Sequence, residues 1–318
     1  MTQVFLGIDT SNYTTSAALV SGAGEVFSSK RLLTVRPGER GVRQSEALFC
    51  HTRDLSAIVG DVLTAYRQSL HPGEIRGVGV STRPRDEEGS YMPCFLAGRN
   101  AAAVAARALN VPLVETSHQE GHLAAAAFGS ADAGRPLPEG PFLALHLSGG
   151  TGEMLRAVPR KSGYAVERLA SFLDITPGQL IDRCGVKLGL GFPAGKELEK
   201  LAEQGRCPQA VRPAVKEKGV ALSGFENRFD KLLAEGASRE DAAAFVFAAV
   251  AESVRALLTL AGEEAGTLPV LFSGGVSSSH LLRERLAGEN TYFAPPALAA
   301  DNAVGVALIA RHTLTGEA

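Results

Sequence analysis

ETSHQEGHLAAAAFGSADAGRPLPEGPFLALHLSGGTGE, running from Glu115 to Glu153, holds two kinds of chemistry in one stretch. At its start His118 and His122 stand four residues apart ahead of an alanine-rich segment. In a helix that spacing puts both imidazoles on one face, near enough to share a metal ion, although a plain polar face has the same spacing. At its end an apolar strand, residues 142–147, runs into Ser148-Gly149-Gly150-Thr151-Gly152. Where side chains are missing, backbone N–H groups are free to surround an anion such as phosphate; a simple tight turn uses the same residues. His146 alternates with Leu145 and Leu147, so it points to the opposite face of the strand and adds a third candidate ligand.

Composition sets the frame around this stretch. With 318 residues, 45% of them hydrophobic and 21% charged, the chain can bury a substantial core and build two lobes. No apolar run in the sequence reads as a membrane span, and MTQVFLGIDTS lacks the basic flank and small-residue cleavage site of a signal peptide. The expectation is a cytoplasmic protein without a membrane partner. Cys50, Cys94, Cys184 and Cys207 are spaced too irregularly for a zinc ribbon or a disulfide framework. A net charge of −2 offers no global field for nucleic acid, so any such contact must use a local patch or a partner protein.

Working outward, residues 4–11 read as a strand ending in Asp9, Thr10 and Ser11, with further strands at 16–20 and about 25–33. Lys30, Arg31, Arg36, Arg40 and Arg43 follow, either a solvated loop or a face for an anionic partner. A long amphipathic helix starts near Ser45; a strand at 78–80 leads to the charged loop 83–89, a helix at 96–109 and a strand at 112–114. The Gly- and Pro-rich residues 129–140 suit a connection, giving lobes 1–140 and 141–318. Beyond it the order repeats: strands at 142–147, 152–158 and 163–170, then helices near 176–189 and 195–204. A long apolar helix, 242–261, is introduced by Ser238 and Asp241. A strand at 268–272 ends in Ser273-Gly274-Gly275-Val276-Ser277, a second glycine turn suited to a nucleotide. Asp301 precedes a last apolar helix, 303–310, as its cap or as a ligand.

Seven motifs, GIDTSN, HQEGH, LSGGTGE, LGLGFPAGKELE, LSGF, SGGVSSS and ADNA, follow one another along nearly the whole chain. In order and rough spacing they resemble the TsaD family, whose members make threonylcarbamoyladenosine in tRNA. The resemblance implies an α/β fold of the actin/sugar-kinase/Hsp70 type, two duplicated RNase H-like lobes around a nucleotide cleft. It implies a divalent metal, iron or zinc, on His118, His122 and Asp301, with His146 where some relatives place a metal-binding tyrosine. It implies an adenine nucleotide with its phosphates near Ser148, Gly149 and Gly150 and its adenosine near Asp182 and Gly195. Glu199 stands for a family aspartate, Gly274 and Gly275 match the second glycine turn, and Ser279 replaces an asparagine. The expected activity is transfer of a threonylcarbamoyl group from threonylcarbamoyl-AMP to tRNA, with partner subunits of that system; no side chain is assigned a covalent catalytic role.

The departures raise alternatives. Where the family has S-C-D-E-T, this chain has Ser11-Asn12-Tyr13-Thr14-Thr15, which removes two carboxylates. Residues 174–179 and Gly224-Phe225-Glu226 also differ, and the charged loop 83–88 replaces a small, glycine-containing segment. An ATP-dependent carbamoyl or phosphoryl transferase acting on a small molecule, or a non-catalytic partner subunit, fits the same fold. A zinc protease does not: Gln119 stands where H-E-x-x-H needs its glutamate, and Glu120 is turned about 200° from His118 around a helix.

Overall fold

The computed structural model describes residues 3–11, 13–34, 42–69, 73–132, 134–298 and 302–316. The chain divides into two compact units. Met1–Phe128, Pro159–Ala165 and Asp301–Ala318 form the first, and Gly129–Val158 with Val166–Ala300 the second.

In the first unit β1 (Gln3–Ser11) pairs antiparallel with β2 (Thr14–Ser21), and β2 pairs antiparallel with β3 (Val26–Leu32). Helix α1 (Gln44–Arg67) crosses over to β4 (Glu74–Arg83), which lies parallel to β1, and α2 (Phe95–Leu109) crosses to β5 (Leu113–Ser117), parallel to β4. The sheet order is β3-β2-β1-β4-β5. Helix α3 (His118–Asp132) follows β5 without a loop.

In the second sheet β6 (Phe142–Leu147) pairs antiparallel with β7 (Gly152–Pro159), which neighbours β8 (Tyr164–Phe172). Then come α4 (Pro177–Lys187), α5 (Gly195–Ala202), the short strands β9 (Ala214–Lys216) and β10 (Gly219–Ala221), α6 (Ser223–Ala234) and α7 (Arg239–Ala265). β11 (Val270–Ser273) lies parallel to β6; α8 (His280–Leu286) leads to β12 (Thr291–Phe293), parallel to β11. The full order is β12-β11-β6-β7-β8-β10-β9. Its core, β8-β7-β6-β11-β12, repeats the first sheet's β3-β2-β1-β4-β5, so the chain is a structural duplication. The strands β9, β10 and β12, three residues each, are too short to carry a periodic signal.

The last helix, α9 (Ala303–Thr315), belongs to the first unit, although it follows the whole second sheet in sequence. The reason lies in β1. Val4, Leu6 and Ile8 pack with Leu55 and Ile58 of α1 and Ala102 of α2, so Phe5, Gly7 and Asp9 face the other layer. That layer is α9: a Cβ on Gly7 would run into the Ala303 carbonyl and lie 2.6 Å from the Ala307 nitrogen. Helix α9 meets α3 with equal intimacy, since a Cβ on Gly305 would fall on the Gly121 carbonyl.

Helix α7, 27 residues, is long and apolar enough by length and composition to cross a membrane, contrary to the expectation that no run is. Its apolar side chains form the centre of the second unit's core instead. Phe245, Val246, Phe247 and Val250 are buried with Leu145, Leu147, Met154 and Phe229. Each such fully buried side chain contributes about 1.5–3 kcal/mol. Ser238 caps the helix by accepting from the Asp241 amide at 3.0 Å, while the Asp241 carboxylate accepts from Arg206 N at 2.7 Å.

Candidate functional site

Helix α3 begins with a reciprocal cap. Ser117 Oγ accepts from Glu120 N at 3.2 Å, and Glu120 Oε2 accepts from Ser117 N at 2.8 Å and from the Ser117 and Thr116 hydroxyls at 2.7 and 3.0 Å. Glu120 Oε1 also accepts from Tyr164 N at 3.1 Å. Glu120 is therefore a buried helix cap.

The histidines occupy one face of the helix, their ring centroids 4.7 Å apart. His118 Nδ1 lies 2.9 Å from Asp9 Oδ1, which also accepts from the Ser81 hydroxyl. Asp9 is wholly buried, and its Oδ2 makes no hydrogen bond among the described residues. Burial alone would raise the Asp9 carboxyl, but the charge and hydrogen bond of His118, with the Ser81 and Ser11 hydroxyls, hold it below the usual carboxylate range. With Nδ1 committed to Asp9, His118 presents Nε2, and Asn302 Nδ2 lies 3.5 Å from that atom. The start of α9 is thus seated on the histidine helix, with the Asn302 carbonyl 3.1 Å from where a Gly121 Cβ would stand.

Asp301, expected as the third ligand, lies outside the described residues. Among the described residues no group of three or more His, Cys, Asp or Glu side chains is placed to hold a metal ion. His146 belongs to the second unit, where its Nδ1 is 3.1 Å from Ser273 Oγ. Asp9 was missed as a site residue. The usable signal was a carboxylate at the end of a strand apolar on both faces, where a buried charge must find partners. If the histidine pair holds a metal ion, Asp9→Asn should weaken its binding about 10–100-fold, the usual cost of losing the carboxylate that orients a ligating histidine. Competition against a chelator measures it; unchanged affinity would detach Asp9 from the site.

All the residues expected at the nucleotide lie in the second unit. The two glycine turns leave adjacent parallel strands, β6 and β11, side by side, and Gly274 (φ 87°) packs on Leu147, whose carbonyl carbon would be 2.8 Å from an added Cβ. Ser148 Oγ accepts from the amides of Gly150 and Thr151 at 3.2 and 3.0 Å, which shapes the first turn. Gly149 and Gly150 are exposed, and a Cβ on either would meet open space.

Helix α4 buttresses this turn. Its capping residue Thr176 exchanges hydrogen bonds with Gln179, and the Thr176 hydroxyl also donates to the Gly149 carbonyl at 3.0 Å. Gly178 approaches so closely that its Cβ would be 2.7 Å from Gly149 Cα. Asp174 fastens the segment, accepting from the amides of Ile175, Leu222 and Ser223 and from the Ser223 hydroxyl. Burial would raise its carboxyl, but these donors keep it below its ordinary value. Asp182 accepts from Ala194 N at 2.8 Å and so brings Gly195 beside α4. Glu199 Oε1 accepts from the Ser279 hydroxyl at 2.6 Å and Leu281 N at 3.0 Å, tying α5 to the second turn.

The chain resembles the structure of an activator of 2-hydroxyisocaproyl-CoA dehydratase from Clostridium difficile (TM-score 0.51, 12% identity, 100% of this chain and 98% of that one). It also resembles full-length HypF (TM-score 0.58, 14% identity), covering 99% of this chain and 47% of HypF. These likenesses support the actin/sugar-kinase/Hsp70-type fold. In sequence it is 26% identical to the tRNA N6-adenosine threonylcarbamoyltransferase of Phocaeicola vulgatus over 97% of this chain and 93% of that protein. It is 30% identical to the enzyme of that name from Syntrophotalea carbinolica, over 96% and 90%. The family model described as TsaD, tRNA N6-adenosine threonylcarbamoyltransferase, matches residues 24–308, and the chain belongs to this enzyme family.

Proposed function

We propose that the enzyme transfers a threonylcarbamoyl group from threonylcarbamoyl-AMP to the N6 amine of adenosine in tRNA, in the cytoplasm and with partner subunits of that system. It uses a divalent metal, iron or zinc, on His118, His122 and Asp301. The observation that carries the reading is the bond from Asp9 to His118 Nδ1, the carboxylate–histidine arrangement that orients a metal-ligating imidazole. Two imidazoles and a carboxylate suit iron and zinc alike. A metal bound there would supply Lewis-acid chemistry.

The chain's own residues hold the donor. The Gly149 N–H, which makes no hydrogen bond among the described residues, is available to a phosphate oxygen. Asp182 holds Gly195, and Glu199 holds the second turn, where the adenosine part is placed. In the transfer the adenine nitrogen bonds to the carbamoyl carbon, the bond from that carbon to the phosphate oxygen breaks, and AMP leaves with the electron pair. The amine gives up one proton. N–H donors fixed before the reaction stabilise the charge that grows on the departing phosphate.

The Gly149→Val variant tests the nucleotide site. A Cβ there meets open space in the protein, so the variant should fold normally, while a bound phosphate would meet the branched side chain. Calorimetry with AMP should show affinity falling at least about tenfold, or 1.4 kcal/mol. Equal affinity would remove this turn from the site.

A further inference from the structure

The acceptor proposed above needs a cationic surface, and part of the basic sequence read above is already paired with acid. Arg31 pairs with Asp54 at 3.1 Å, and Arg83 pairs with Asp86; Arg36 and Arg40 lie outside the described residues. In the second unit Arg183 and Lys187 are likewise paired, both with Glu226. Arg212 and Arg228 differ: their side chains make no hydrogen bond or ion pair among the described residues. Both line one cavity of about 390 Å3.

One wall of that cavity is a single face of α6 and its end, Arg228, Lys231, Leu232 and Glu235, at the i, i+3, i+4, i+7 spacing of neighbours on a helix. The other wall is the segment before β9, with Gln209 and Arg212. Leu232 is buried at the base. Lys231 pairs with Glu235 at 3.6 Å, which leaves Arg212 and Arg228, among the described residues, as the cations without a carboxylate partner on these walls.

We infer that this cavity, walled by Arg212, Arg228 and Lys231, is a contact surface for the phosphate backbone of the RNA acceptor, an inference that rests on the tRNA reading above. Guanidinium groups grip phosphate oxygens through paired N–H bonds, and the Gln209 amide adds a neutral donor. Charged, exposed walls suit a phosphodiester chain lying across them. Small-molecule pockets are instead mostly apolar and bury the ligand.

The test compares full-length wild type with Arg212→Gln/Arg228→Gln/Lys231→Gln, measuring binding of an unmodified tRNA transcript against salt. With the coefficient of about 0.9 per phosphate contact that holds for double-stranded DNA, the slope of log affinity against log salt should flatten by up to about 2.7. Between 50 and 200 mM salt the wild type should then lose up to about 40-fold more affinity than the variant. AMP binding should be the same in both. If the triple variant melts early, Arg228→Gln alone carries the test, with a slope change of about 0.9. Equal slopes overturn this surface while leaving the tRNA reading intact. Equal slopes with inorganic phosphate raising the melting temperature of wild type only would assign the cavity to free phosphate, against the inference. Absence of salt-dependent tRNA binding by the wild type, alone and with partner subunits, would overturn the acceptor reading and this inference with it.

Discussion

With the metal site proposed above, His118→Ala is expected to give a folded protein that no longer binds metal and whose threonylcarbamoyl transfer has fallen by about a thousandfold or more. Removing one group that stabilises developing charge costs about 100–1,000-fold, and losing a metal ligand removes that stabilisation at its source. The fold should persist, because α3 is started by Ser117 and Glu120 rather than by the imidazole. The variant does leave Asp9 buried without its main partner, a cost of about 1–3 kcal/mol that a urea melt should register. Elemental analysis of protein purified without chelator reads the metal directly. Undiminished content in His118→Ala would end the assignment.

Gly305→Val should be among the most destabilising substitutions in the chain, costing about 3 kcal/mol or more. The clash is with main chain: the added Cβ would fall on the Gly121 carbonyl and stand 2.8 Å from Ala125 N, and no rotamer change moves those atoms. Helix α9 would have to lift from α3, taking Asn302 away from His118. Gly60→Ala is the contrasting control. It lies within α1 with nothing within 4 Å of its Cβ, so alanine there should add about 0.5–1 kcal/mol. Denaturant midpoints compare the two; a Gly305→Val loss under 1 kcal/mol would refute the close approach of α3 and α9.

What the sequence revealed, and what it hid, divides along one physical line. Elements with their own periodicity were legible: β6 was placed at 142–147, the two glycine turns were found, and the pair His118 and His122 sits on one helix face as i, i+4 spacing requires. The sense in which Glu120 turns away from the histidines was likewise readable from helix geometry, though its role as a cap through Ser117 needed coordinates. Relations between distant segments were hidden. Asp9 is 109 residues from His118, and nothing local joins them. That α9 covers the first sheet follows from Gly7, Gly121 and Gly305 admitting backbone at close range, a property of three separate glycines that no window of sequence contains. The strands β9, β10 and β12, each three residues long, exist because neighbours pair with them, and alternation over three residues carries no signal. Glu199 and Ser279, matched to the nucleotide site from separate motifs, are joined to each other by a hydrogen bond.

The central claim is transfer to tRNA despite the absence of carboxylates at Tyr13 and Thr14, and it is tested most directly by complementation. The gene is expressed in cells that lack their own threonylcarbamoyl transferase, and nucleosides from their total tRNA are separated by liquid chromatography and mass spectrometry. The account predicts that threonylcarbamoyladenosine returns with the wild-type gene and not with His118→Ala. No return of the modified nucleoside from a soluble, nucleotide-binding wild-type protein supplied with its partner subunits would contradict it and leave a small-molecule acceptor in its place.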